Sequence, residues 1–197
     1  LQADAQVRTL PGRLLAGLRA RQASGGGPIT ILSCDNLPDN GAVTRRIVTD
    51  LARVAAPESL EWIETNVDFA TSMVDRITPA TTEDDVATVA AQQGYDDVSP
   101  VPTEPFSAWV IAGQFPAGRP AWEEAGVKLV DDVAPHERRK LWLLNGSHSM
   151  LAYTAPLLGH TTIDEAIADP RCREWVTTFW AEAQAPLNLG SAEVTQS

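Results

Sequence analysis

Apolar residues at Val7, Leu10, Leu14, Leu15 and Leu18 recur at helical spacing, with arginines on the other face. They predict a helix over 7–22, in which Pro11 falls in the tolerant first turn. Gly25-Gly26-Gly27-Pro28 stops it, and Ile29-Thr30-Ile31-Leu32-Ser33-Cys34 reads as a buried strand. Asp35-Asn36 ends that strand, 38–41 is a turn, and 42–55 is a second amphipathic helix. A short helix over 59–66 takes Ser59 as its N-cap. Met73 to Ile77 reads as a strand ended by Pro79. A helix over 82–93 opens with Glu83, Asp84 and Asp85, which favour the positive end of its dipole. Residues 94–105 read as loop. Trp109-Val110-Ile111 and Val127-Lys128-Leu129-Val130 are strands joined by a Gly/Pro-rich connection. This helix–strand–helix alternation belongs to a parallel α/β sheet, and it begins with a helix, as if strands had preceded it.

From Pro135 onward the pattern holds helices only: a long one over 135–158, a short one over 161–168 and a third over 170–185. The last residues, 188–197, have no periodicity. The change near Ala134 places a domain boundary there.

Composition narrows the function classes. The 15 Lys and Arg stand against 26 Asp and Glu, a net charge of −11. So acidic a chain is a poor partner for nucleic acid or an anionic membrane surface. No apolar run approaches the ~18 residues needed to span a bilayer, and Leu1-Gln2-Ala3-Asp4 lacks the charged n-region of a signal peptide. Cys34 and Cys172 have no metal-type spacing and read as free thiols of a cytoplasmic protein. No Cys or His pairing of the zinc kind accompanies His136, His148 and His160, so no metal is expected. His136 and His160 sit at helix ends and read as capping or surface residues.

One helical segment carries chemistry: Lys140-Leu141-Trp142-Leu143-Leu144-Asn145-Gly146-Ser147-His148. At about 100° per residue, Lys140, Asn145 and His148 fall at about 0°, 140° and 80° around the axis. A base, an amide and an imidazole on one side of a helix suit a substrate bearing hydroxyls or a carbonyl. The plainer alternative is a polar stripe on a helix surface. Two details weigh against it. The four apolar residues after Lys140 predict a helix buried on much of its surface, and Gly146, costing ~1 kcal/mol in a helix interior, marks a close approach. Lys140 is also one of two lysines, beside 13 arginines. Arginine cannot give up its proton at working pH, whereas a desolvated lysine can.

Val67-Asp68-Phe69-Ala70-Thr71-Ser72-Met73-Val74-Asp75-Arg76-Ile77-Thr78-Pro79 resembles the signature segment of the mannitol dehydrogenase family, the polyol-specific long-chain dehydrogenases. The Lys140, Asn145, His148 spacing is similar to that family's Lys-x4-Asn-x2-His helix. Ser33-Cys34-Asp35-Asn36, Thr103-Glu104-Pro105-Phe106 and Gly118-Arg119-Pro120 resemble further family blocks, in family order. The resemblance runs from about Leu10 to Leu187. It implies a fold of class α/β plus α: the C-terminal part of a Rossmann-like domain over 1–134, then the start of a mainly helical substrate domain over 135–197. It also implies a metal-independent, NAD-linked oxidoreductase (NADP being the alternative) that interconverts a polyol and its ketose. Lys140 matches the general base, Asn145 and His148 match groups on the reacting oxygen, and Asn36 and Asp75 match residues near the nicotinamide and the substrate hydroxyls. The alternatives are a fructuronate- or tagaturonate-type sugar-acid reductase of the same family and a non-catalytic module of the same fold. Gly25-Gly26-Gly27 precedes a strand, so it is a turn and not a dinucleotide fingerprint. Family chains are more than twice as long, and a chain of this extent is expected to be inactive alone.

Overall fold

A computed structural model describes residues 7–187. Two compact units share the chain, Leu1–Val133 and Ala134–Ser197.

In the first unit, α1 (Leu10–Ala23) starts where the Thr9 hydroxyl accepts from the Gly12 N–H. It is followed by β1 (Ile29–Leu32), α2 (Asn40–Ala55), α3 (Leu60–Asn66), β2 (Val67–Asp75), α4 (Glu83–Gln93), β3 (Ala108–Ala112) and β4 (Lys128–Leu129). The core lies on one face of β2. Leu15 and Leu18 of α1, Val48 and Ala52 of α2 and Ile63 of α3 bury themselves with Val67 and Phe69. Each such Leu, Ile or Val contributes about 1.5–3 kcal/mol by leaving water. A smaller cluster gathers Met73, Val110 and Val133.

The sheet has the order β1-β2-β3-β4. β2 is a nine-residue strand that begins six residues before the predicted one and divides its pairing. Its first half is parallel to β1, with Leu32 opposite Ala70. Its second half is antiparallel to β3, with Asp75 opposite Ala108. The wholly parallel sheet expected from the sequence is therefore a mixed one. The reason lies between β2 and β3. None of α4 is buried, so that helix does not cover the sheet as a crossover helix would. Instead Arg76 Nη2 donates to Thr103 Oγ1 at 2.7 Å and the Glu104 N–H donates to the Ile77 carbonyl at 3.1 Å. The excursion closes on itself and returns the chain at the end of β2 where it left. Ser59 differs too: it closes a 3-10 turn (Pro57–Ser59) in helical conformation and makes no side-chain cap.

The second unit is helical: α5 (Ala134–Arg139), a π-helical turn (Lys140–Asn145), α6 (Gly146–Thr154), a 3-10 turn (Ala155–Leu158), α7 (Ile163–Ala168) and α8 (Pro170–Leu187). Leu151, Ala155, Ala166, Cys172 and Val176 form its core. Leu143 and Ala183 form a second cluster. Between α7 and α8, Asp169 accepts from Arg171 at 2.7 Å and faces His160 Nε2 at 2.9 Å. The Arg171 guanidinium, then His160 and the Arg171 N–H, hold the Asp169 carboxyl well below the usual carboxylate range. A depressed carboxylate stabilises the fold above its ordinary pKa and loses that contribution as pH falls through the folded value. Asp169→Asn is expected to lower Tm at neutral pH, and its deficit against the parent should shrink as pH drops below about 4. A Tm difference that stays constant down to acid pH would contradict this role.

Candidate active site

Lys140, Asn145 and His148 lie on a continuous helical stretch of the second unit, and all three are half-buried. The stretch is not α-helical throughout. The Gly146 N–H donates to the Leu141 carbonyl, five residues back, and to that of Leu143, three back. An i→i+5 turn advances by roughly 82–87° per residue instead of 100°. Asn145 thus lies about 50–75° from Lys140, and His148, three α-steps on, within about 20° of it. The wide turn compresses an arc of 140° into a narrow stripe that can address one small polar group.

The burial expected for this helix is only partly found. Leu143 is fully buried, but Leu141 and Trp142 are 51% and 42% exposed. Gly146 does mark a close approach: a Cβ there would lie 2.8 Å from Phe179 Cζ and 2.9 Å from Cε1. Ser147 Oγ donates to the Leu143 carbonyl at 2.5 Å. Trp180 Nε1 donates to Ser147 Oγ at 2.8 Å and, at 3.3 Å, to the same carbonyl. The sequence singled out neither Ser147 nor Trp180 for this, because the contact joins residues 33 to 37 positions apart.

In the first unit Asn36 follows β1 and is exposed, and Asp75 ends β2 and is half-buried. Both therefore sit at the carboxyl ends of adjacent parallel strands, the edge where open α/β sheets bind ligands. What shapes that edge is Asn40, only 1% exposed. Its Nδ2 donates to the Ser72 carbonyl at 2.7 Å and to the Asp35 carbonyl at 2.8 Å. Its Oδ1 accepts from the Ser72 N–H at 3.0 Å. β1 stops at Leu32 while β2 runs on, so this side-chain amide stands in for the next peptide of β1. Ser72 Oγ adds a 2.6 Å bond to the Ser33 carbonyl. The loop carrying Asn36 is thereby fixed to the strand carrying Asp75. Gly41 belongs to the same packing, since a Cβ there would lie 2.7 Å from the Ala70 carbonyl oxygen.

A dinucleotide needs a pyrophosphate cradle as well as a polar pocket for the reacting ring. Among the described residues, Gly25–Gly27 precede β1 and so lie at the opposite edge from Asn36 and Asp75. The loop entering α2 carries Asp35 and Asp39, whose charges would repel a pyrophosphate. The acidic groups at this edge do not fit the phosphates of such a cofactor, whereas the cationic nicotinamide ring of its oxidised form carries no such penalty. Also among the described residues, no three His, Cys, Asp or Glu side chains are grouped as metal ligands would be. No described helix is long and apolar enough to cross a membrane.

Comparison with known proteins agrees with this architecture. A mannitol 2-dehydrogenase of Aspergillus fumigatus is 45% identical over 183 residues, which are 91% of this chain and 36% of that protein. The D-mannonate oxidoreductase of Escherichia coli is 41% identical over 175 residues, 89% of this chain and 36% of its own length. Among solved structures, Pseudomonas fluorescens mannitol 2-dehydrogenase, in a ternary complex with NAD and D-mannitol, superposes with a TM-score of 0.75 at 41% identity. That match covers 92% of this chain and 37% of the other. The chain thus spans little more than a third of the length of these relatives. Residues 132–194 match the mannitol dehydrogenase C-terminal domain. Since residues 5–124 match the mannitol dehydrogenase Rossmann domain, the chain belongs to the mannitol dehydrogenase family.

Proposed function

We propose that these residues serve an NAD-linked oxidoreductase that interconverts a polyol and its ketose in the manner of a mannitol 2-dehydrogenase. The observation that carries the reading is the stripe of Lys140, Asn145 and His148 on a widened helical turn, in a chain similar to enzymes of that name. NAD, when bound, would accept the hydride from the carbinol carbon. The protein's own work concerns the proton and the oxygen. Lys140 Nζ, as the neutral amine, takes the hydroxyl proton while the carbon–hydrogen pair departs, and returns it in the reverse direction. The Asn145 amide and the His148 imidazole donate to the oxygen, whose negative charge is greatest in the transition state. Asn36 and Asp75 are assigned to the nicotinamide and the substrate hydroxyls, the carboxylate accepting from a hydroxyl. The scheme calls on no metal, because an amine base and two side-chain donors together meet the needs of the oxygen.

A second reading, a sugar-acid reductase, is favoured by the similarity to D-mannonate oxidoreductase. It would need a cation to hold the substrate carboxylate. The two separate in one assay on a complete enzyme carrying this chain: NAD reduction with D-mannitol against NAD reduction with D-mannonate. The proposal expects the larger kcat/KM with mannitol, and a clear preference for mannonate would replace it. The 197-residue chain by itself should turn over neither substrate, since its described residues offer no pyrophosphate cradle. Turnover by the purified chain alone would contradict that.

A further inference from the structure

The π-turn that aligns Lys140 with His148 needs something to hold it open, because an i→i+5 turn is rare beside the α-helical alternative and leaves carbonyls poorly matched. The Leu143 carbonyl lies inside it and collects donors from outside the helical ladder: Ser147 Oγ at 2.5 Å and Trp180 Nε1 at 3.3 Å. Trp180 Nε1 also donates to Ser147 Oγ at 2.8 Å, so the indole of α8 holds the turn at Leu143 and α6 just beyond it. Beside it the Phe179 ring occupies the space a side chain at 146 would need. Leu143 and Ser147 are both buried, so water does not substitute for these bonds. If the turn reverted to α-helical pairing, Asn145 would swing by roughly 65–90° about the axis relative to Lys140.

We propose that Ser147 and Trp180, bonded at the Leu143 carbonyl, are positioning residues that keep the π-turn open and so hold Lys140, Asn145 and His148 on one stripe. This rests on the reading of those three residues given above. Neither Ser147 nor Trp180 exchanges a proton with substrate; they act through the backbone of the turn.

The test uses a complete enzyme carrying this chain, with two substitutions that remove the bonds and little else. Ser147→Ala deletes the hydroxyl. Benzothienylalanine at position 180 keeps the size and shape of the indole but has no N–H, whereas 5-fluorotryptophan there keeps it. The proposal expects kcat for mannitol oxidation to fall about 10- to 100-fold in the first two, the cost of an ångström-scale misplacement. NAD affinity should be unchanged and KM should move far less than kcat, since the base acts only in the transition state and the two donors act most strongly there. The fluorotryptophan enzyme should match the parent. Parental kcat in both bond-deleting variants overturns the proposal, as does a parallel loss of kcat and substrate binding with lowered Tm. If Ser147→Ala does not fold, the benzothienyl substitution decides alone. Lys140→Ala, measured beside them, separates the two levels. If it loses 100-fold or more while the positioning variants lose nothing, this inference alone fails. If Lys140→Ala keeps its kcat, the base assignment fails and the inference with it.

Discussion

Lys140→Ala, in a complete enzyme carrying this chain, is expected to cut kcat for polyol oxidation by about 10²–10⁴, the usual worth of a positioned general base. The loss should fall on kcat and kcat/KM together, because the proton moves only in the transition state and the bound polyol keeps its other contacts. Small primary amines added to the alanine variant should restore part of the rate. The lysine stem that the substitution removes has about the volume of such an amine, and Lys140 is only half-buried. The restored rate should follow the concentration of free amine at each pH and ignore its protonated form. Rescue that follows total amine concentration, or is equal with tetramethylammonium, would mean that a cation and not a base is missing.

The second large effect concerns stability. Asn40→Ala removes three hydrogen bonds, two of them to the backbone of Ser72, which is 1% exposed. Each buried backbone group left without a partner costs about 1–3 kcal/mol, so the variant should lose about 2–5 kcal/mol. That corresponds to a fall in Tm of about 5–15 °C for a unit of this size. Asn40→Asp should be at least as damaging. It keeps the acceptor for the Ser72 N–H but turns a carboxylate oxygen towards the Ser72 carbonyl, where the parent has a donor. Thermal unfolding followed by circular dichroism measures both. A Tm within a degree or two of the parent would mean that the amide does not replace the missing peptide of β1.

What could be read from the sequence was whatever is local. The acids Glu83, Asp84 and Asp85 marked the start of α4, which begins at Glu83. The apolar spacing at Leu14, Leu15 and Leu18 gave α1, and Leu15 is its most buried side chain. What escaped was made at a distance. The part of β2 that the pattern missed, 67–72, holds Asp68 and Ser72, polar residues that do not read as strand. Their partners are 32 to 47 positions away: Asp68 accepts from the Gln114 and Phe115 N–H groups, and Ser72 pairs with Asn40. The direction of β3 escaped for the same reason, because the Arg76–Thr103 bond that turns the chain back leaves no periodicity. At the candidate site the residue types and their spacing were legible. The π-turn was not, since Lys-Leu-Trp-Leu-Leu-Asn is equally good α-helix and the indole that holds it open lies on α8.

The claim at the centre is that Lys140 works by giving up and accepting a proton, and Lys140→Arg tests it most directly. Arginine retains the positive charge and nearly the length of lysine, so it can still orient a hydroxyl and keep the helix face packed. It cannot become a neutral base at any pH the enzyme tolerates. The account predicts that kcat for D-mannitol oxidation in Lys140→Arg falls nearly as far as in Lys140→Ala, about 10²-fold or more, with NAD affinity intact. A kcat close to that of the parent would contradict it and make Lys140 a positioning cation.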